Sequence, residues 1–381
     1  MGENLGQSRA KLATRLAFIA AGFGVACWAP LVPYAKARCQ VGDAMMGLVL
    51  LLLAAGSIVA MPFAANLSAR FGSKPVVLAG GIISAVVLPV LSEAASPVML
   101  GAALFVFGAS LGSLDVAMNL HAVDVERASE KPLMSGFHAL FSIGGFLGSG
   151  MMTALLSRRL TPNISTMASS AILIAIVLAA SPGMLANHEE ISQPLFAVPR
   201  GVVLAIALLA AISFLVEGAL LDWSALLLVG GRLLSAARGG LGYMFFSVAM
   251  TLSRLTGDRF VARFGNRVVL TLSGLTAFLG FCLLLLSPVV GLALAGFILI
   301  GLGAANIVPI LFRLAGTQNA MPKGLAVAAL TTAGYSGMLT GPAVIGFLSK
   351  GIGLHNAFWF LAALPLFTPL FSKYVTSDVP N

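Results

Sequence analysis

Carboxylates are scarce in this chain, and two of them stand inside long apolar runs. Asp115 lies in SLDVAMN with Asn119 four residues on, and Glu217 lies in SFLVEGALLDW, five residues before Asp222 and next-door Trp223. Ionisable groups at the centre of a membrane helix cost about 2.5–3.5 kcal/mol on insertion scales, so those present usually face a cavity or a partner. Shielded from water, a carboxylate holds its proton closer to neutral pH, which suits reversible proton exchange. Asp115 and Asn119 continue the line of Gly108 and Gly112 at helical spacing, giving one polar, small-residue face. That face reads as a carboxylate beside a solute-binding amide, although the glycines alone would read as close helix packing. His138 stands over Ser142, Gly145 and Ser149, fit to relay protons or to pin a neighbouring helix. Asn306 and Tyr335 are further candidates for contact with a polar solute. Asp222 and Trp223 join them, but the simpler reading makes Asp222 a solvated helix end and Trp223 an interfacial anchor.

Other chemistries lack their residues. No phosphate-binding G-x-x-x-x-G-K-[ST] loop occurs, so ATP is not the expected energy source. No HExxH occurs, and His121, His138, His188 and His355 fall in separate segments, which leaves no metal cluster. His121 and Asp124 have no nucleophile beside them, and Gly148-Ser149-Gly150 sits within a helix rather than at a strand-to-helix turn. Cys27, Cys39 and Cys282 have no metal-ligand spacing. No enzyme, metal or cofactor is expected; a proton gradient is the expected driving force.

The elements that must hold these residues are membrane helices. Of 381 residues, 59% are hydrophobic and 9% charged, with 42 glycines. A soluble domain carries about 25% charged residues, because it must cover itself with polar surface. Water-soluble enzymes, disulfide scaffolds and disordered chains are excluded. A membrane helix needs about 20 apolar residues, and twelve runs qualify. The first six are Leu12–Tyr34, Ala44–Leu67, Val76–Ser92, Val98–His121, Met134–Leu156 and Ile164–Leu185. The second six are Gly201–Leu221, Gly240–Leu255, Val268–Ser287, Val289–Phe312, Leu325–Leu348 and Asn356–Phe371. The seventh could run on through Leu221–Leu228, and the ninth and tenth nearly merge at Ser287-Pro288. The first run has the basic flank of a cleaved leader (Arg9, Lys11, Arg15), but its length favours a retained span.

The net charge of +9 does not point to nucleic acid, since the basic residues are scattered without a stripe or aromatic interleaving. Topology explains them better. With the N-terminus in the cytoplasm, 15 Lys and Arg fall on that side, including four after the eighth span, and seven on the other. That bias places both termini inside.

A repeat organises the runs. Ala69 to Lys74 reads ARFGSK and Ala262 to Arg267 reads ARFGNR, an offset of 193 residues. The same offset pairs Gly108 with Gly301, Gly144 with Gly337 and Gly148 with Gly341. The expected plan is an all-α polytopic membrane protein of 12 transmembrane helices in two pseudo-symmetric halves, 1–185 and 201–381, joined by a polar connector at 186–200.

With this duplication and its basic loops, the chain resembles the major facilitator superfamily. The loops resemble that family's G-x-x-x-D-R-x-G-R-K signature through Arg70, Gly72 and Lys74, and again through Arg263, Gly265 and Arg267. They depart at Ala69 and Ala262, where the family usually places an acid that helps latch the cytoplasmic side. The run DVAMN, Glu126, the His of the fifth span and EGALLDW are similar to the bacterial YbjJ/MosC-like branch, distantly related to fucose permease-type symporters. The resemblance implies a monomeric secondary transporter in the inner membrane, moving a small sugar-, polyol- or amino-sugar-like solute by alternating access. Its coupling would run through Asp115, Glu217 or both. Two rival readings remain: efflux of amphipathic drugs, and a non-transporting receptor or assembly partner.

Overall fold

The computed structural model describes residues 2–129, 133–185, 198–231 and 233–377, and nearly all of them are helical. The expected connector falls largely on 186–197, outside the described residues, as does Arg232. Ten helical segments among the described residues are long and apolar enough to cross a membrane. They are α1 (Gly6–Cys39), α2 (Asp43–Phe71), α3 (Ser73–Glu93), α4 (Pro97–Ser129), α5 (Met134–Ser157), α6 (Pro162–Gly183), α7 (Val202–Gly230), α9 (266–286, within the apolar segment Arg259–Leu286), α10 (Val290–Thr317) and α12 (Leu354–Val375). Residues 241–264 supply α8, which runs into α9 across a kink at Gly265, and Lys323–Ile352 is α11. The twelve expected helices are therefore all present.

The helices group into two compact units, residues 1–190 with 234–244, and residues 191–233 with 245–381. In the first unit α1 packs on α4, α5 and α6, and α2 packs along α4. In the second, α7 packs on α11, as α1 does on α5. The glycines that mark the repeat make these contacts. A side chain at Gly108 would collide with the Leu53 carbonyl of α2, and one at Gly301 with the Phe246 carbonyl of α8. Leu53 and Phe246 are themselves 193 residues apart. Gly144 likewise meets the Ile19 carbonyl, and Gly337 that of Ala211. Membrane helices associate through such close backbone approaches, because lipid offers no hydrophobic drive to bring them together.

The basic loops share a backbone as well as a sequence. Gly72 has φ 80°, ψ 165° and Gly265 has φ 79°, ψ 159°, a region that only glycine enters readily. Each turn ends one helix and starts the next. Arg70 lies over the Phe71 ring at 5.2 Å and Arg263 over Phe264 at 5.5 Å, so both arginines sit at helix ends beside exposed aromatic rings.

Large apolar side chains cover the outside. Phe63, Leu286 and Leu370 are 65, 72 and 72% exposed. Water would not tolerate so much bare hydrocarbon surface, whereas lipid tails match it. The chain is a multi-pass membrane protein.

Candidate functional site

In the second unit, α7, α8 and the break in α10 bring together one acid, one base and two neutral polar groups. Glu217 lies fifteen residues from Val202 and thirteen from Gly230, about 22 and 20 Å along the axis at 1.5 Å per residue. Sequence reading ended this helix at Leu221 while allowing it to run on through Leu228; the helix continues to Gly230, so the carboxylate is near the middle.

Facing Glu217 is Arg254, thirteen residues into α8. Its Nη2 is 3.8 Å from Glu217 Oε1, and the two side chains are 21 and 19% exposed. Glu217 Oε1 is itself buried and accepts no hydrogen bond. The pair is thus an electrostatic contact beyond hydrogen-bonding distance. Arg254 corrects the topological count, which had placed it among four cytoplasmic residues after the eighth span; it lies inside the helix.

A second anchor holds Arg254, and the sequence explains it. Its Nε donates to the Ala305 carbonyl at 3.3 Å. In a continuous helix that carbonyl would accept from residue 309, but residue 309 is proline and has no N–H. Sequence reading treated the tenth span as unbroken; instead one helical segment stops at Ala304 and the next begins at Ile307. Asn306 sits in the break, buried, and its Nδ2 donates to Ser253 Oγ at 3.1 Å. Gly257, one turn beyond Ser253, leaves room for the Asn306 amide. The signal for Arg254 was present in the sequence: a proline four residues after a small residue in an apolar span frees a carbonyl for a donor on the neighbouring helix.

Phe214, one turn before Glu217, stacks on Tyr335 of α11 with ring centres 6.4 Å apart. Asp222 and Trp223 are 7 and 0% exposed, eight and seven residues before the end of α7. The simpler sequence reading is overturned for both. Asp222 is no solvated helix end and Trp223 no interfacial anchor, because α7 outruns the apolar segment that defined it.

In the first unit Asp115 lies eighteen residues past Pro97 and fourteen before Ser129, about 27 and 21 Å from the ends of α4. Asn119 Nδ2 donates to the Asp115 carbonyl at 2.9 Å and to its Oδ1 at 3.3 Å. Both side chains are half-buried. His138 is exposed and meets Phe18 of α1 edge-on at 5.2 Å. Its expected face is divided in use: Ser142 bonds back to the His138 carbonyl at 3.4 Å, while Ser149 donates to the Gly240 carbonyl at 3.1 Å.

His121 has a structural place that sequence reading did not find. It is 1% exposed, and its Nε2 accepts the Leu185 backbone N–H at 2.9 Å. Nδ1 therefore carries the ring proton and donates to Thr14 Oγ1 at 2.9 Å, while that hydroxyl donates to the Ala10 carbonyl. One side chain thus ties α1, α4 and the chain leaving α6. Among the described residues no three His, Cys, Asp or Glu gather as a metal site.

No protein-family profile matches the chain. An uncharacterized MFS-type transporter of Yersinia pestis is 45% identical over 367 residues, covering 96% of each chain. The membrane protein MosC of Rhizobium meliloti is 29% identical over 95% of this chain and 89% of its own. Among solved structures, a bacterial homolog of the human lysosomal transporter Spinster, inward-facing and unoccupied, superimposes with a TM-score of 0.77 at 13% identity over 98% of this chain and 97% of its own. The nucleoside transporter NupG gives 0.73 at 15% identity over 98% of this chain and 100% of its own. Twelve helices, a duplicated half and a relative of this closeness along nearly the whole length lead to one conclusion: the chain belongs to the major facilitator superfamily and is a membrane transporter, not an enzyme.

Proposed function

We propose that the protein is a proton-coupled secondary transporter that moves a small polar solute of the sugar, polyol or amino-sugar type by alternating access. It works as a monomer in the bacterial inner membrane with both termini in the cytoplasm, and it draws on the proton gradient without a bound cofactor. The observation that carries this reading is Glu217, mid-helix, with a buried oxygen that accepts no hydrogen bond and a guanidinium 3.8 Å away. Such a carboxylate changes charge at modest cost, because the arginine stabilises its ionised form and burial its neutral form. Asp115, with the Asn119 amide beside it, is the corresponding candidate in the first unit. Asn119, His138, Asp222, Trp223, Asn306 and Tyr335 supply the polar and aromatic groups for a hydroxylated solute. The glycine turns bearing Arg70, Gly72, Lys74, Arg263, Gly265 and Arg267 would pivot at the cytoplasmic side.

Purified protein in liposomes, offered a pool of metabolites with and without an inward proton gradient, tests the proposal. It expects a polar metabolite to accumulate only with the gradient and to leak out when a protonophore is added. Gradient-driven expulsion of amphipathic dyes would replace it with drug efflux, and no gradient-dependent movement would remove it. Asp115→Asn should preserve expression and weaken coupling to the pH gradient; unaltered coupling in that variant removes Asp115 from the mechanism.

A further inference from the structure

We propose that the second unit seats one anionic phospholipid: an acyl chain fills a cavity at the end opposite the Gly265 turn, and the headgroup phosphate lies on Lys350 and His355. The site is separate from Glu217 and goes beyond the transport reading, since it stands whatever solute the protein moves.

The helices make the cavity by ending together. α7 stops at Gly230, α9 stops at Leu286 and α12 starts at Leu354, and between these ends lies a space of about 390 Å³. Ligand pockets fall in the range of about 300–1,000 Å³. Its floor is buried hydrocarbon, from Leu226 and Leu227 of α7 and Leu284 and Leu285 of α9. Pro288 and His355, both exposed, stand at its mouth. A chain lying on that floor gains many small dispersion contacts. Position selects which chain: Leu286, Val289 and Ile352 beside the cavity are bare to the outside, so in the membrane they face acyl tails. Lipid is the apolar partner present there at the highest concentration.

Charge selects the headgroup. Between Asp258 and Asp378 the chain holds seven Lys and Arg and no Asp or Glu, and this acid-free stretch supplies α9, α11 and α12. Lys350 lies exposed in the last turn of α11, and Gly353, at φ 83°, turns the chain directly into Leu354 and His355 at the cavity. The acid closest in sequence to the lining is Asp222, one turn before Leu226 and buried in α7. An ammonium and an imidazole N–H at the rim of an apolar cavity match a phosphate above its own hydrocarbon chain.

The test uses full-length protein, stripped of lipid in a neutral maltoside detergent, titrated with dioleoyl phosphatidylglycerol or dioleoyl phosphatidylcholine and read by native mass spectrometry. One phosphatidylglycerol should bind per protein, about fivefold or more tightly than phosphatidylcholine, the scale of one basic side chain near a headgroup. Lys350→Ala with His355→Ala, both at exposed positions, should remove that preference, while Lys373→Ala at the other end of α12 should not. Gly230 lines the cavity, and a side chain there meets nothing within 4 Å. Gly230→Leu should therefore fold normally and lower the affinity about tenfold, because it displaces about two methylene groups of the guest. Gly136→Leu, equally unobstructed but in the first unit, should bind as wild type does. Equal affinity for the two lipids, or a preference that survives loss of Lys350 and His355, would overturn the anionic headgroup. Wild-type affinity in Gly230→Leu would overturn the cavity as its seat, as would displacement of the lipid by millimolar glycerol 3-phosphate, which has the head without the chain.

Discussion

At the scale of single residues, burial and partner decide what each polar group does. Glu217 and His121 both lie within apolar helices, yet they do opposite things. His121 has both ring nitrogens satisfied and is sealed, so it holds structure. Glu217 has an oxygen without a hydrogen bond and a base just out of reach, so it is poised to change charge. His121→Ala should lose the tie between α1 and the end of α6 and strand the Leu185 N–H, costing about 1–3 kcal/mol. A lower melting temperature with an unaltered solute KM would be the result; a changed KM with full stability would place His121 in the transport path. Arg254→Gln should also lower the melting temperature, because it leaves a carboxylate without its base, and Arg254→Gln with Glu217→Gln should recover part of the loss. The sequence disclosed Glu217, Asp115 and Asn306, since acids and amides stand out against hydrocarbon residues. It did not disclose Arg254, because a basic residue nine positions before Arg263 of the next basic turn looks like part of that turn until the helix has a known length.

At the scale of elements, breaks and close approaches do the positioning. Pro309 frees the Ala305 carbonyl, the carbonyl anchors Arg254, and Arg254 faces Glu217. Pro309→Ala would return an N–H to compete for that carbonyl. The expected outcome is equal or higher thermal stability with a solute KM raised several-fold, measured by transport kinetics and melting together. Unchanged KM would detach the break from the site. The glycine seams make a symmetric prediction. Gly108→Val and Gly301→Val each press a side chain into a neighbour's carbonyl. Each should cost about 1–3 kcal/mol or more, seen as reduced folded yield. These seams were legible in the sequence because the offset of 193 residues recurs in loops and helices alike. The end of α7 was not, because its apolar run continues past Asp222 and Trp223, and polarity was taken to mean water. Those two residues are buried by packing that composition does not reveal.

At the scale of the whole molecule, composition settled the solvent and the repeat settled the architecture, since twelve apolar runs in two matching sets leave few alternatives. What the molecule moves depends on a handful of groups whose mutual distances no linear pattern encodes. The account's central claim is that Glu217 carries the proton that drives accumulation. Its most direct test compares wild type with Glu217→Gln in liposomes by two readouts on the same preparation: exchange of solute at equal pH, and accumulation against a gradient under an inward proton gradient. The account predicts that the variant keeps exchange and loses accumulation; accumulation at the wild-type level would contradict it.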